Sequence, residues 1–116
     1  MTLFVGLGRM GHPMVRRYAA THSTVLFDID EGSSADLAAE LGAVALAELT
    51  GLPDDIATVI LMLPDSRIVE SVLLGEDDLL AHLTPGTLVI DMGSSEPAST
   101  RRLSDLASQK GLRFTA

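Results

Sequence analysis

The sequence predicts an α/β fold in which a doubly wound parallel sheet carries helices on both faces. Short runs rich in Val, Ile and Leu recur along the 116-residue chain without alternation between apolar and polar residues. Such runs are typical of strands that are buried on both faces. Segments with helical spacing lie between them, so strand and helix alternate as in βαβ units. No linker or repeat interrupts this pattern, and residues 1–116 are predicted to form one domain.

Each element follows from a local signal. The apolar runs predict strands at Leu3–Gly6, Thr24–Asp28, Ala43–Ala45, Thr58–Leu63, Thr87–Asp91 and Arg113–Thr115. The segments between them predict helices over Arg9–Ala20, Ser34–Leu41, Leu52–Asp55, Ser66–Leu74, Glu76–His82 and Glu96–Lys110. Serine precedes the second helix as a cap and Gly42 follows it as a stop signal. Pro97 lies in the first turn of the last helix, where proline is tolerated.

Composition excludes several classes of protein. The net charge of −8 disfavours binding to nucleic acid, which needs a basic face. The absence of cysteine excludes disulfides and thiolate zinc sites. No apolar run reaches the roughly 20 residues that cross a bilayer, and the first residues do not have the pattern of a signal peptide. We therefore expect a cytoplasmic protein that has neither nucleic acid nor a membrane as its partner.

Three glycines stand where the first strand meets the first helix, spaced G-x-G-x-x-G. In a dinucleotide site Gly6 makes the tight turn, Gly8 lets a phosphate approach the backbone, and Gly11 lets the helix pack close to the strand. The N–H groups and positive dipole of that helix then face the pyrophosphate. The alternative is a glycine-rich turn that binds no ligand, because this short motif also occurs by chance.

The second strand ends in an acidic residue at the distance that a dinucleotide site requires. Asp28 lies 22 residues after Gly6, close to the spacing of about 20 residues for the carboxylate that binds the ribose hydroxyls. A carboxylate there also repels a 2′-phosphate, and the following loop contains no arginine or lysine. The sequence therefore favours NAD as the cofactor, with NADP as the alternative.

Longer strings identify a family that the chain resembles. "GLGRMGHPM", "VILMLPDSRIVESVL" and "LVIDMGSSEPASTRRLSDLA" are similar to the cofactor domain of the β-hydroxyacid dehydrogenases. That family includes 3-hydroxyisobutyrate dehydrogenase and tartronate semialdehyde reductase, and it is related to 6-phosphogluconate dehydrogenase. The resemblance covers essentially the whole chain. It implies a Rossmann-type fold and hydride transfer between a nicotinamide cofactor and a small 3-hydroxyacid.

The resemblance also implies roles for individual residues. A phosphate loop would contain Leu7, Gly8, Arg9 and Met10. The adenosine and ribose would lie against Leu63 and Pro64, with Ile68 one turn later, and Ser94 would lie near the nicotinamide. Ser94 and Ser95 also suit a cap of the last helix. Gly93 departs from the family, which usually has a serine there that helps to bind the substrate carboxylate.

No residue of this chain is expected to be catalytic. His22, His82 and Lys110 each precede a predicted strand, so the topology places them at the edge opposite the ligand. His12 lies beside the pyrophosphate position, where an exposed helix residue is the simpler interpretation. The resemblance places the catalytic lysine in an all-helical domain that this sequence does not contain, and it implies a homodimer formed largely through that domain. Without that domain, exposed apolar area predicts weak self-association or poor solubility.

Two hypotheses of function remain open at this point. The chain is either the cofactor domain of an NAD-dependent oxidoreductase or a stand-alone dinucleotide-binding module that regulates a partner. The downstream coding sequence discriminates them, because a continuing frame with a lysine-bearing helical domain supports the enzyme.

Overall fold

The computed structural model describes residues 1–28, 31–49, 52–63, 65–75, 78–93 and 96–115. At residues 8–12, 31 and 33 it describes the course of the helix alone. The strands are β1 (Thr2–Val5), β2 (Thr24–Phe27), β3 (Val44–Ala45), β4 (Thr58–Leu61), β5 (Leu88–Asp91) and β6 (Arg113–Thr115). The helices are α1 (Gly8–Ala19), α2 (Glu31–Leu41), α3 (Ser66–Leu74), α4 (Leu79–His82) and α5 (Pro97–Gln109).

The six strands form one sheet in the order β3-β2-β1-β4-β5-β6, and all five pairings are parallel. This order is that of a doubly wound Rossmann sheet, as predicted. The chain moves outward from β1 in one direction and from β4 in the other. Because β-α-β crossovers are right-handed, the two halves of the chain place their helices on opposite faces.

Two apolar clusters confirm that both faces are covered. On one face, Val15 of α1 and Leu37 of α2 pack against Phe4 and Ile60 of the sheet. On the other, Val69 of α3 and Leu103 of α5 join the larger cluster, to which alternate residues of the same strands contribute. Strands buried on both faces explain why the apolar runs lack alternation.

The face covered by α1 and α2 becomes more open toward β5 and β6. Phe4 on β1 is fully buried and Ile60 on β4 is 9% exposed, whereas Thr115 on β6, paired with Ile90, is exposed. Ile90 is only partly buried and belongs to neither cluster. Among the described residues, the large apolar side chains that are exposed are Val44 and Met92. Self-association through such surface stays a prediction.

Three predicted helices differ from the structure. The second begins at Glu31 rather than Ser34, so the serine predicted to cap it at position 33 lies inside the helix, and so does Ser34, which is buried. No helix forms at Leu52–Asp55, where the chain makes a turn at residues 54–55. Pro53 disfavours helical backbone at the residue before it, so Leu52 does not start a helix here.

The fifth predicted helix, Glu76–His82, is also too long. Asp78 has φ +40°, a left-handed conformation that ends any regular helix, and α4 begins only at Leu79. Glu76 and Asp77 lie outside the described residues. The other predicted bounds agree with the structure to within one or two residues, with Glu96 and Lys110 in the capping positions of α5 rather than inside it.

None of the helices in the described ranges is long and apolar enough to cross a membrane.

Candidate functional site

The carboxyl ends of four strands are level with one another. Val5 pairs with Phe27 on one side and with Leu61 on the other, and Leu61 pairs with Asp91. The residues that come next therefore lie along one edge of the sheet. In an open parallel sheet, ligands bind outside this edge at the point where the strand order reverses, which here is between β1 and β4.

Gly6 occupies that point in a conformation that only glycine adopts readily. Its φ is +80°, and its N–H donates to the carbonyl oxygen of Phe27 at 2.9 Å. A Cβ atom at this position would lie 2.6 Å from Leu63 Cδ2 and 2.8 Å from the Met62 carbonyl oxygen. The tight turn predicted at Gly6 is confirmed, and the turn also needs glycine because the residues that follow β4 approach it so closely.

The first helix begins immediately after this turn, at Gly8, with Leu7 in the N-cap position. Leu7 has no polar side chain with which to cap the helix, and the first turn contains no acidic residue. The α3 helix differs, because Asp65 Oδ1 accepts from the Ile68 N–H at 3.0 Å. The amino terminus of α1 thus keeps the orphan amides and positive dipole that suit an external anion such as a phosphate. The backbone of Arg9, Met10 and Gly11 lies in this same first turn.

Asp28 follows β2 directly and is partly buried. Its Oδ2 accepts a hydrogen bond from the Leu7 N–H at 2.7 Å, which joins the loop after β1 to the end of β2. The spacing between Gly6 and Asp28 predicted that both residues lie at the carboxyl edge of the sheet. Asp28 lies at that edge, beside Leu7. The bond to Leu7 was not predicted, because no local pattern couples two residues 21 positions apart.

Two of the residues predicted to contact the adenosine side, Leu63 and Ile68, are described by the structure. Leu63 is 8% exposed and lies against Gly6, and Ile68 is partly buried in the first turn of α3. Pro64, Ser94 and Ser95 lie outside the described residues. Leu63 and Ile68 are therefore brought to the edge where β1 and β4 diverge.

Gly93 is a second close approach that sequence reasoning missed. A Cβ atom at Gly93 would overlap the carbonyl oxygen of Leu63. The Gly93 N–H donates to Asp91 Oδ1 at 2.9 Å, and Asp91 is only 2% exposed. The chain after β4 therefore runs between two glycines, Gly6 and Gly93. The departure from serine at position 93 has a steric cause within this chain, and a glycine that follows a strand is the available signal.

Three titratable residues lie at the amino-terminal edge of the sheet, where the topology predicted them. His22 follows α1 and precedes β2, His82 ends α4, and Lys110 caps the carboxyl end of α5. All three are exposed. His22 stacks on Tyr18 with ring centroids 4.2 Å apart, and its Nδ1 lies 2.8 Å from the Thr21 hydroxyl. Within the described ranges, no group of three acidic, histidine or cysteine side chains is placed to hold a metal ion.

A concavity of about 370 Å³ lies at this amino-terminal edge, lined by Ala19 to Thr24 and by Leu41, Gly42 and Ala43. The carboxyl ends of α1 and α2 both border it. Helix carboxyl ends carry partial negative charge, which disfavours a phosphate. The carboxyl edge of the sheet is therefore the better candidate for a dinucleotide.

Comparison with known proteins identifies the family of this chain. Residues 2–116 match the family model described as the NAD binding domain of 6-phosphogluconate dehydrogenase. The NAD-dependent L-serine dehydrogenase of Pseudomonas aeruginosa is 37% identical over 110 residues, which are 94% of this chain and 37% of that protein. The chain thus spans less than two fifths of the length of that curated relative.

Solved structures share the fold. Mycobacterium tuberculosis 3-hydroxyisobutyrate dehydrogenase with L-serine superposes with a TM-score of 0.85 at 30% identity, over 97% of this chain and 38% of that one. Imine reductase from Myxococcus stipitatus in complex with NADP⁺ has a TM-score of 0.83 at 21% identity, over 98% of this chain and 39% of that one, and shows the fold alone. The motifs, the sheet order and these matches agree, and the chain belongs to the NAD-binding domain family of 6-phosphogluconate dehydrogenase and the other β-hydroxyacid dehydrogenases.

Proposed function

We propose that this chain holds the nicotinamide dinucleotide of an oxidoreductase that transfers a hydride between the cofactor and a small 3-hydroxyacid. The cofactor would supply the hydride acceptor or donor, and the residues of this chain would bind and orient it. The observation that carries the proposal is the local structure at the carboxyl edge of the sheet. Gly6 turns the chain there, α1 begins without a side-chain cap from its N-cap residue, and Asp28 lies beside the loop.

The individual roles follow from this arrangement. Backbone amides of Leu7 to Gly11 open toward the pyrophosphate, where the dipole of α1 favours negative charge. The Asp28 carboxylate accepts from the adenosine ribose hydroxyls. Leu63 places an apolar side chain beside Gly6. By the family resemblance, Pro64 and Ile68 would lie toward the adenosine and Ser94 toward the nicotinamide. Arg9 adds positive charge near the phosphates.

We expect the chain to bind NADH more tightly than NADPH. A 2′-phosphate on the adenosine ribose would lie against the Asp28 carboxylate in a partly buried site, and this repulsion favours NADH by at least about tenfold. Calorimetric titration of the purified chain with each nucleotide measures the ratio. The Gly8→Val variant is the control, because a branched side chain in the phosphate loop should abolish binding of both. Equal affinity for NADH and NADPH would contradict the preference.

A specific observation favours a second candidate, a dinucleotide-binding module without its own chemistry. His22, His82 and Lys110 lie at the edge opposite the proposed site, so none of them supports a general acid or base there. In the oxidoreductase the proton donor would come from a part of the protein outside these 116 residues, and a homodimer would form through that part. A cytoplasmic location stays a prediction that the absence of cysteine favours.

A further inference from the structure

We propose that Asp28 is a positioning residue for the phosphate loop in addition to its role as a ribose acceptor. The inference rests on the proposed dinucleotide site and goes beyond it. A hydrogen-bond acceptor at position 28 is required for the loop to bind either cofactor, so NADPH binding is not gained by truncating the side chain and needs an uncharged acceptor in place of the carboxylate.

The geometry ties two neighbouring amides to one strand end. The Gly6 N–H donates to the Phe27 carbonyl oxygen at 2.9 Å, and the next amide, Leu7 N–H, donates to Asp28 Oδ2 at 2.7 Å. The second distance lies in the range of charge-assisted hydrogen bonds. Successive amides of a strand within a parallel sheet point to opposite neighbours, so the Gly6 bond alone continues the β1–β2 pairing past Val5 and Phe27. The left-handed turn at Gly6 then directs the next amide, that of Leu7, back to the same strand end, where a side chain is the acceptor.

Leu7 is the residue from which α1 departs. It has the N-cap position, and its side chain is fully buried in the cluster beneath α1 and α2. The buried side chain fixes where Leu7 lies, and the bond to Asp28 fixes the direction of its amide. Together they set the direction in which α1 begins, and the backbone amides of its first turn are the ones proposed to meet the pyrophosphate.

Removal of the acceptor leaves the Leu7 amide in a partly buried place without its partner. The amide must then reach water or turn away, and either change moves the start of α1. Asparagine at position 28 keeps a carbonyl oxygen for this bond and removes the charge that opposes a 2′-phosphate. Alanine removes both. The two variants therefore separate the positioning role from the electrostatic one.

The test compares wild type, Asp28→Asn and Asp28→Ala in the absence of any nucleotide. Amide hydrogen exchange, followed by NMR, should show that the Leu7 amide exchanges at least about tenfold faster in Asp28→Ala, and that Asp28→Asn restores most of the protection. Asp65→Ala is the control, because the Asp65 carboxylate also accepts from a backbone amide at a helix amino terminus, here locally from Ile68 at α3. It should speed exchange at Ile68 and leave Leu7 unchanged.

Nucleotide titration of the same variants completes the test. Asp28→Ala should bind both NADH and NADPH more weakly than wild type, whereas Asp28→Asn should lose NADH affinity and gain NADPH affinity. Unchanged exchange at Leu7 in Asp28→Ala, or tighter NADPH binding by that variant, would overturn the inference. If wild type binds neither nucleotide, the proposed function fails, and the exchange rates at Leu7 alone decide the positioning role.

Discussion

Replacing Gly6 with alanine is expected to lower the free energy of unfolding by about 3 kcal/mol and to weaken NADH binding more than tenfold. The left-handed backbone at φ +80° disfavours any side chain, and the added Cβ would press on Leu63 Cδ2 and the Met62 carbonyl oxygen. Relief of that overlap separates β1 from the chain after β4, which is where the dinucleotide is proposed to lie. Urea denaturation and calorimetric titration of the folded variant measure the two effects.

Gly42→Ala provides the matched control for this experiment. Gly42 also has a left-handed backbone, with φ +68°, but a Cβ atom there meets nothing within 4 Å, and Gly42 lies at the opposite edge of the sheet. Its replacement should cost only the backbone penalty, about 1–2 kcal/mol, and should leave NADH affinity unchanged. Equal losses of unfolding free energy in the two variants would show that the close approach of Met62 and Leu63 to Gly6 does not contribute to stability.

Replacing Gly93 with alanine, or with the serine that the family resemblance predicts there, is expected to destabilise the fold by about 2 kcal/mol and to weaken NADH binding. The new Cβ would overlap the Leu63 carbonyl oxygen, and the displaced backbone would strain the bond from the Gly93 N–H to the buried Asp91 carboxylate. Thermal unfolding and nucleotide titration report on these two changes separately.

Gly75→Ala is the control for the Gly93 variants. A Cβ atom at Gly75 would overlap the Ser71 carbonyl oxygen at the end of α3, so the steric penalty is similar while the place is remote from the carboxyl edge. The variants at both positions should be less stable than wild type. At a temperature where all of them are folded, only those at Gly93 should bind NADH more weakly. A Gly93→Ser variant as stable as wild type would contradict the steric reason for glycine at this position.

The fold could be predicted from the sequence because its signals are consistent along the whole chain. Non-alternating apolar runs define strands that are buried on both faces, and the glycines at positions 6, 8 and 11 mark where β1 gives way to α1. The errors occur where a short local signal competes with packing. The serine that precedes Ser34 was interpreted as a cap, yet α2 begins at Glu31 and this serine lies inside the helix, because a capping preference is a weak signal beside the packing of a whole helix.

The candidate site was only partly predictable. The spacing between Gly6 and Asp28 correctly brought both residues to one edge, since that relation is set by strand length and topology. The contacts within the site depend on distances between segments that are remote in sequence. Neither the bond from Leu7 to Asp28 nor the approach of Leu63 to Gly6 and Gly93 has a local pattern that would reveal it.

The most direct measurement of the central claim is the amide NMR spectrum of the isotope-labelled chain during titration with NADH. The amides whose signals shift on addition of NADH show which edge of the sheet binds the dinucleotide. Saturable shifts are predicted at Gly6, Leu7, Asp28 and Leu63, which lie at the carboxyl edge, and none at His22 or Gly42 beside the opposite concavity. Saturable shifts confined to residues 19–24 and 41–43, or no saturable shift at either edge, would contradict a dinucleotide site at the carboxyl edge.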